Sequence, residues 1–287
     1  MTSRLARLIE NLACANCGRT FSRDGDALSC DGCGANARVR RDAVIFGEGS
    51  GDAPDPWLRS IKERVKTATP RLYGWLIAAV SPVHAIDVAA PLFDEVDPST
   101  HFVLDYGSGP IRLHPDVINV DITPYPGVDL VVAGTPLPLR DGCVDAIVSV
   151  AVLEHVDDPH AVVRDFERLL KPGGRLQVYV PFMQGVHGAP DDFQRWTPHG
   201  LEKLFERFDD RRVVVAAGPT SALVWILQEW FAITFSFGSR ALYRLLYMIG
   251  FIFTPLKFLD AALRHHPMAS KIASGYLITA RRRMTTQ

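Results

Sequence analysis

Four of the five cysteines lie within twenty residues of one another, and their spacing is that of metal ligands. They form two Cys-x-x-Cys pairs, Cys14 with Cys17 and Cys30 with Cys33, separated by twelve residues. Each pair can turn two thiolates toward one ion, and two pairs complete a closed tetrahedral zinc site with no position left for water. The spacing therefore predicts a structural zinc ribbon over residues 1–46, because a segment this short buries too little apolar surface to fold without a metal.

A second group of candidate residues follows an apolar run in the middle of the chain. Within residues 103–110, Asp105 ends the run, and Gly107 and Gly109 come directly after it. Glycines at such a turn let the backbone approach a ligand closely. Sixteen residues beyond Asp105, Asp121 ends the next predicted strand. A carboxylate there can accept hydrogen bonds from both hydroxyls of a ribose, although alone it would be read as an ordinary turn aspartate.

Short apolar runs alternate with helical segments from residue 101 onward. Because these runs are apolar throughout, we expect both faces of each strand to be buried, which is typical of a mostly parallel sheet covered by helices. The clearest helix covers residues 160–170, before a Lys-Pro-Gly-Gly turn. The predicted strands are residues 102–106, 117–121, 129–132, 145–150, 175–180, 212–216 and 275–280.

Three further motifs follow Asp121 in the chain. They are Leu-Pro-Leu-Arg-Asp-Gly-Cys-Val-Asp at 137–145, Leu-Glu-His at 153–155 and Leu-Lys-Pro-Gly-Gly at 170–174. Together with the glycine loop at 105–109 and Asp121, they make five motifs in a fixed order. This set resembles the class I S-adenosylmethionine-dependent methyltransferases, specifically their type-eleven group. The N-terminal ribbon separately resembles those fused to various bacterial methyltransferases.

The resemblance implies both a fold and a cofactor. The implied fold is a Rossmann-like, mostly parallel, seven-stranded α/β sheet with an antiparallel last strand, and the implied cofactor is S-adenosylmethionine. In such a site the two glycines approach the methionyl part, the strand-two aspartate holds the ribose, and the later loops border the adenine and the sulfonium. The implied cofactor-binding residues are Asp105, Gly107, Gly109, Asp121, Gly134, Thr135, Val150 and Leu153.

The segment between the first two strands departs from the family pattern. Only ten residues, 107–116, separate these strands, which is too few for the usual crossover helix, and Pro110 and Pro115 disfavour one further. Residues 133–135 also lack the acidic residue that is common near the adenine. The sequence thus predicts a cofactor site built from a loop, without a helix N-terminus beneath it.

The loop after the predicted strand at 175–180 carries the candidate catalytic residues. An α/β sheet places reacting groups just past the carboxyl ends of its strands. His187 is the preferred base for an acceptor proton because an imidazole titrates near neutrality, with a loop-stabilising role as the alternative. Asp192 either orients that imidazole or binds a divalent ion jointly with it, and the sequence does not separate the two. The candidate substrate-binding residues are His155, Asp191, Arg195 and Trp196.

The resemblance suggests that proteins with this loop act on sugars or glycans. We therefore expect methyl transfer from S-adenosylmethionine to an oxygen of a sugar, glycan or glycolipid-type acceptor. The first alternative is an RNA methyltransferase in which the ribbon binds the nucleic acid, although a formal net charge of −1 argues against it. The second is a non-catalytic cofactor-binding or scaffold protein, which the short crossover suggests.

The chain is expected to divide into three parts. These are a zinc ribbon at 1–46, a linker with helices near 57–66 and 71–80 within residues 47–100, and a methyltransferase domain at 101–287. The N-terminus is polar and has no apolar signal-peptide core. We therefore expect a cytoplasmic location, with contact at a membrane surface as a further option.

Residues 221–263 form an apolar helical insertion before the last strand. Charged residues interrupt this stretch, so we expect no uninterrupted apolar span of the roughly twenty residues that cross a bilayer. One interpretation is a helical cap or a homodimer face. The other is a surface that rests on a membrane or holds a lipid-linked substrate.

Overall fold

The computed structural model describes residues 3–40, 42–47, 81–187 and 191–284, and the helices expected near 57–66 and 71–80 lie outside them. The strands of the described residues are β1 (Phe21–Asp24), β2 (Ala27–Cys30), β3 (Asn36–Arg40), β4 (Ala43–Phe46), β5 (Val103–Tyr106), β6 (Ile118–Asp121), β7 (Leu130–Val131), β8 (Val144–Val150), β9 (Leu170–Pro181), β10 (Asp209–Ala217) and β11 (Gly275–Arg281). The α-helices are α1 (Ser3–Glu10), α2 (Ala90–Phe93), α3 (Pro159–Leu169), α4 (Pro198–Leu204), α5 (Pro219–Ser236), α6 (Arg240–Ile249) and α7 (Asp260–Leu263).

One continuous sheet holds all the described strands, in the order β1-β2-β3-β4-β7-β6-β5-β8-β9-β11-β10. From β7 to β9 the neighbouring strands are parallel, and β11 lies antiparallel between β9 and β10. The part from β7 to β10 is the predicted seven-stranded sheet with an antiparallel last strand, so this fold is confirmed. Because parallel strands end at the same edge, the loops after β5, β6, β7, β8 and β9 lie side by side.

Helix α3 shows how the sequence covers this sheet. Asp158 caps the helix by accepting a hydrogen bond from the backbone N–H of Ala161 at 2.9 Å, and Pro159 occupies the first helical position. Its apolar side chains recur at helical spacing and join the main core, which stabilises the helix mainly by packing. The buried ones are Val162, Val163, Phe166 and Leu169.

Strand β9 begins five residues earlier than predicted. Leu170 already pairs with Val144, and the register then shifts so that Arg175 pairs with Ala146. Leu170 is fully buried in the core, which places it in the sheet before the chain turns at Gly173 in the left-handed region. The Leu-Lys-Pro-Gly-Gly motif therefore lies inside β9, as an irregularity in its pairing with β8, and is not a turn that precedes the strand.

The N-terminal ribbon extends the sheet. Strand β4 pairs in parallel with β7, with Val44 opposite Leu130, and the backbone N–H of Val44 donates to the carbonyl of Asp129 at 2.8 Å. Leu8 and Leu28 belong to the same hydrophobic core as the parallel strands. Ribbon and sheet therefore share one core, and the division of the chain into domains at residues 46 and 100 stays a prediction.

Residues 107–117 connect β5 to β6 without any helix, as predicted. One side chain anchors this loop. The guanidinium of Arg112 donates to the carbonyl of Val117 at 2.6 Å and to the carboxylate of Asp129 at 2.9 Å. The same buried carboxylate accepts the backbone N–H of Asn119 at 2.8 Å. Arg112 therefore holds the short crossover against the amino ends of β6 and β7.

The predicted helical insertion comprises α5, α6, a 3-10 segment at Gly250–Leu259 and α7. Asp260 is fully buried, and its carboxylate caps α5 by accepting the N–H groups of Thr220 and Ser221 at 2.8 and 2.7 Å. Among the described residues, the helical run Arg240–Leu263 is long and apolar enough to cross a membrane, judged by length and composition alone. The run is this long because the helix continues through Gly250 and Pro255 as 3-10 turns, and Arg244 and Lys257 interrupt its apolar sequence, as expected.

Candidate active site

The four clustered cysteines meet at one point, as their spacing predicted. The sulfurs of Cys14 and Cys33 are 3.5 Å apart, those of Cys17 and Cys30 are 3.4 Å apart, and all four lie within 4.8 Å of one another without a disulfide. A tetrahedral zinc ion with Zn–S bonds of about 2.3 Å requires sulfurs about 3.8 Å apart. The donor set thus fits a structural zinc ion.

The glycine loop after β5 contacts both neighbouring strands. Gly107 has φ +75°, and a Cβ atom there would lie 2.3 Å from Cγ2 of Val152, in the segment after β8. The N–H groups of Gly107 and Ser108 donate to the carbonyl of Val120 at 2.8 and 3.1 Å. A larger residue at Gly107 would push the loop off Val152, so the close approach explains the glycine.

Asp121 ends β6 in direct contact with this loop. One carboxylate oxygen accepts the N–H of Gly109 and the other accepts the N–H of Thr123, both at 2.8 Å. Each carboxylate oxygen has two lone pairs, so one remains on each for a ribose hydroxyl. Gly134 and Thr135 follow the neighbouring β7, where Val131 pairs with Asp121. The structure therefore brings the predicted cofactor residues to one sheet edge, while their roles stay predictions.

Asp105 lies beneath the glycine loop and is only 4 % exposed. Burial, together with the nearby negative charge of Asp121, raises the pKa of its carboxyl to about 7, while Arg112 opposes the shift. At mildly acidic pH the carboxyl of Asp105 is therefore largely protonated, so Asp105 and Asp121 do not both carry a negative charge near the loop.

The substitution Asp105→Asn should reduce the dependence of stability on pH. Since the carboxyl pKa is about 7 in the folded state and about 3.9 when unfolded, the folded protein binds the extra proton between these values. Wild-type stability therefore falls as the pH rises through this window and stays lower above it. In thermal unfolding, the variant should exceed the wild type at pH 8 by several degrees and match it only below about pH 3.9. The exposed Asp94→Asn is the control, and a pH-independent difference would contradict the assignment.

The Leu-Glu-His motif forms a 3-10 turn, Leu153–His155, directly after β8. Glu154 is fully buried, and neither of its carboxylate oxygens has a hydrogen-bond partner among the described residues. The Nε2 atoms of His155 and His187 each lie 3.7 Å from the same carboxylate oxygen. This carboxylate raises the pKa of His187 while burial opposes the shift. Glu154 was not predicted as a site residue, although an acidic residue between Leu153 and His155, shortly after a predicted strand, was the available signal.

Asp192 holds the loop that carries His187. Its carboxylate forms an ion pair with Arg195, with a contact of 2.6 Å to Nη2, and accepts the backbone N–H of His187 at 2.9 Å. The guanidinium holds the pKa of this carboxyl well below its usual range. A carboxylate oxygen also lies 3.7 Å from Nδ1 of His187. Of the two predicted roles for Asp192, this geometry favours orienting the imidazole.

The predicted substrate-binding residues have varied surroundings. Nδ1 of His155 lies 2.5 Å from the backbone carbonyl of Asp191, whose side chain is exposed. Arg195 is engaged by Asp192, and Trp196 packs against the main hydrophobic core. These two therefore fix the loop, while His155 faces the buried carboxylate of Glu154.

A cavity of about 420 Å³ adjoins Val150 at the end of β8. Tyr179, Gln184 and Asp87 supply polar groups to its lining, and the remainder is largely apolar. Its outer wall comes from residues 83–89, where the N–H of Ile86 donates to the carbonyl of Ala216 at 3.0 Å. This wall was not predicted, because its pairing with β10 joins residues far apart in the sequence.

Residues 111–178 match the family model described as a methyltransferase domain. This stretch contains Asp121 and the three later motifs whose order carried the resemblance. These residues are therefore similar to a methyltransferase domain. The methyltransferase domain predicted from the motifs is thereby confirmed over this range.

A segment of the chain is also similar to curated proteins. The ubiquinone biosynthesis O-methyltransferase of Xanthomonas oryzae pv. oryzae (strain PXO99A) is 54 % identical over 54 residues, which are 19 % of this chain and 20 % of that protein. The similarity thus spans about a fifth of the length of the curated relatives.

Two solved structures resemble the chain at low identity. Phosphoethanolamine N-methyltransferase 2 of Haemonchus contortus, in complex with S-adenosyl-L-methionine, is 14 % identical with a TM-score of 0.41, covering 64 % of this chain and 49 % of that one. The 1,6-didemethyltoxoflavin-N1-methyltransferase of Burkholderia thailandensis is 17 % identical with a TM-score of 0.40, covering 85 % and 97 %.

Proposed function

We propose that this protein is an S-adenosylmethionine-dependent methyltransferase. The observation that carries the proposal is the contact between the glycine loop and Asp121 at the carboxyl edge of the sheet, within the motif order of the family. When bound, the cofactor supplies an electrophilic methyl group on its sulfonium. The chain itself would hold the ribose through Asp121 and leave room for the methionyl part at Gly107 and Gly109.

We propose an oxygen acceptor, of the sugar, glycan or glycolipid type. The cavity beside Val150 supports this, because Asp87, Tyr179 and Gln184 offer hydrogen-bonding groups to hydroxyls within a largely apolar wall. The buried Glu154 and the half-buried His155 and His187 supply polar groups that would accept or carry the acceptor proton. The X. oryzae relative is named as an O-methyltransferase, which agrees with oxygen as the methylated atom.

His187→Ala should lower turnover by about 10²-fold while the dissociation constant of S-adenosylhomocysteine stays unchanged, because the histidine lies on the acceptor side of the site. Turnover is measured as S-adenosylhomocysteine release with a panel of hexoses, nucleotide sugars, polyprenyl-linked sugars and quinols. The exposed His199→Ala on α4 is the control. Unchanged turnover would remove His187 from the mechanism. Failure of the wild type to bind S-adenosylhomocysteine in calorimetry would favour the scaffold alternative.

We further propose that the helical insertion rests on a membrane surface, with the protein otherwise in the cytoplasm. Large apolar side chains are exposed along α5, α6 and the 3-10 segment, including Trp230, Ile233, Met248 and Ile252. Exposed Arg240 and Arg244 near the start of α6 suit anionic headgroups. A surface of this kind would bring the acceptor cavity close to a lipid-linked substrate.

The double substitution Met248→Asp with Ile252→Asp should abolish flotation with vesicles of phosphatidylcholine and phosphatidylglycerol. Two charges on this surface oppose its burial among acyl chains. Met284→Asp, which exposes a charge at an exposed apolar position outside the insertion, should float like the wild type. A wild type that stays with the aqueous fraction, and elutes as a dimer that the double variant disrupts, would instead assign this face to a homodimer.

A further inference from the structure

Glu154 is the most unusual buried group in the described residues. It is fully buried in the turn after β8, and neither carboxylate oxygen has a hydrogen-bond partner in the part of the chain that the structure describes. A buried carboxylate without a partner is costly, so such groups normally pair with a cation or coordinate a metal. The guanidinium of Arg195, in the same loop, is bound to Asp192. The imidazoles of His155 and His187 approach Glu154 only to 3.7 Å, too far for a hydrogen bond, so its carboxylate lacks a close counter-charge.

In their neutral forms, the two neighbouring imidazoles present acceptors to Glu154. Nδ1 of His155 lies 2.5 Å from the carbonyl of Asp191, and Nδ1 of His187 lies 3.1 Å from the carbonyl of Gly185. A carbonyl accepts only, so each Nδ1 carries the proton, and the longer 3.4 Å approach of Arg195 to His187 does not change this assignment. Each Nε2 lone pair then faces Glu154 at 3.7 Å. In metal-binding histidines, a backbone carbonyl commonly accepts the N–H of the ring nitrogen that does not bind the metal.

The separation of these donor atoms suits one ion. One carboxylate oxygen and two Nε2 atoms lie within 4.8 Å of one another, and ligand distances of about 2.0 to 2.2 Å place donor atoms roughly 3 to 4 Å apart. Two imidazoles and one carboxylate favour zinc, manganese or iron over magnesium, which prefers oxygen. Three protein ligands also leave coordination positions open.

A donor beside the cluster points to a bound oxygen ligand. The indole N–H of Trp225 is buried without a partner among the described residues, and its ring centroid is 5.7 Å from that of His187. Water or an acceptor hydroxyl on the ion would satisfy this N–H. Among the described residues, an unpartnered donor and a buried carboxylate with two unpartnered oxygens thus lie on either side of His187, an arrangement that a metal ion with its oxygen ligand would complete.

We propose that Glu154, His155 and His187 bind one divalent transition-metal ion, distinct from the ion of the four cysteines. The role of this ion rests on the proposed function, whereas its binding does not. An acceptor hydroxyl coordinated at an open position would release its proton to solvent more readily, because the cation stabilises the alkoxide that remains. In this arrangement His187 is a metal ligand and not the general base.

The test uses Mn²⁺ as the probe, on the full chain with its cysteine site loaded with zinc. Electron paramagnetic resonance titration should show one Mn²⁺ per chain, because this ion prefers oxygen and nitrogen ligands to thiolates. Glu154→Gln should weaken binding at least tenfold. Asp157→Asn, which neutralises an exposed carboxylate three residues away, is the matched control and should bind like the wild type.

The stability of the metal-free protein gives a second readout. Glu154→Gln removes the buried charge, so its melting temperature should equal or exceed that of the metal-free wild type, whereas Mn²⁺ should raise only the wild-type value. A wild type that binds no Mn²⁺, or a Glu154→Gln variant that binds it equally well, would overturn the metal site. Retained S-adenosylhomocysteine binding in either case would leave the proposed function standing, and its loss in the wild type would remove that function separately.

Discussion

Replacing Asp121 by alanine is expected to raise the dissociation constant of S-adenosylhomocysteine at least tenfold. The substitution removes both oxygens available to the ribose hydroxyls and also the carboxylate that holds the N–H of Gly109 at 2.8 Å. A tenfold change corresponds to about 1.4 kcal/mol, which is within the range of one lost hydrogen bond to a charged group. Isothermal titration calorimetry measures the constant directly.

Asp116→Ala is the matched control for this experiment. Asp116 precedes β6 and therefore lies at the opposite end of the strand that Asp121 terminates. It should leave the dissociation constant unchanged, and circular dichroism should show the same fold for both variants. An Asp121→Ala variant that binds S-adenosylhomocysteine as tightly as the wild type would contradict the assigned ribose role.

Loss of the zinc ion is expected to destabilise the whole methyltransferase domain and not only the ribbon. The ribbon strands continue the main sheet through β4 and β7, and Leu8, Leu28 and Val44 share its core. Structural zinc sites contribute several kcal/mol or more to folding, so Cys30→Ser or a strong chelator should lower the melting temperature by about 10 °C or more.

Cys143→Ser serves as the control for the zinc experiment, because Cys143 is half-buried and lies outside the cluster. Its melting temperature should change little. Bound zinc is counted by mass spectrometry before and after chelation. If the zinc-free protein unfolds in two separate transitions, with the later one at the wild-type temperature, ribbon and sheet are energetically independent and the expectation is wrong.

Much of the sheet could be predicted because its strands carry local signals. Residues around Val103, Ile147 and Val178 form apolar runs that end in turn residues, and each lies in a strand. The helix α3 was similarly evident from its cap and its spacing. Strand β7 is shorter than predicted, with two residues, because only Leu130 and Val131 keep partners on both sides.

The candidate site was only partly predictable because its decisive contacts join distant residues. The order of the motifs indicated Asp121 and the glycine loop, and the spacing of the four cysteines indicated a metal site. The convergence of Glu154 with His187 depends on how the loop after β9 folds back over the end of β8, which no local pattern encodes. The anchor between Arg112 and Asp129 likewise appears only once β6 and β7 are adjacent.

Without the ribbon, the two-residue strand β7 would be an exposed edge strand of the sheet. Strand β4 covers it, so the backbone groups beside Leu130 are paired within the molecule. An exposed edge strand offers free N–H and C=O groups to other chains and promotes aggregation. A zinc ion held by the four cysteines would therefore also protect solubility, and light scattering during chelation would show whether zinc-free molecules associate through this edge.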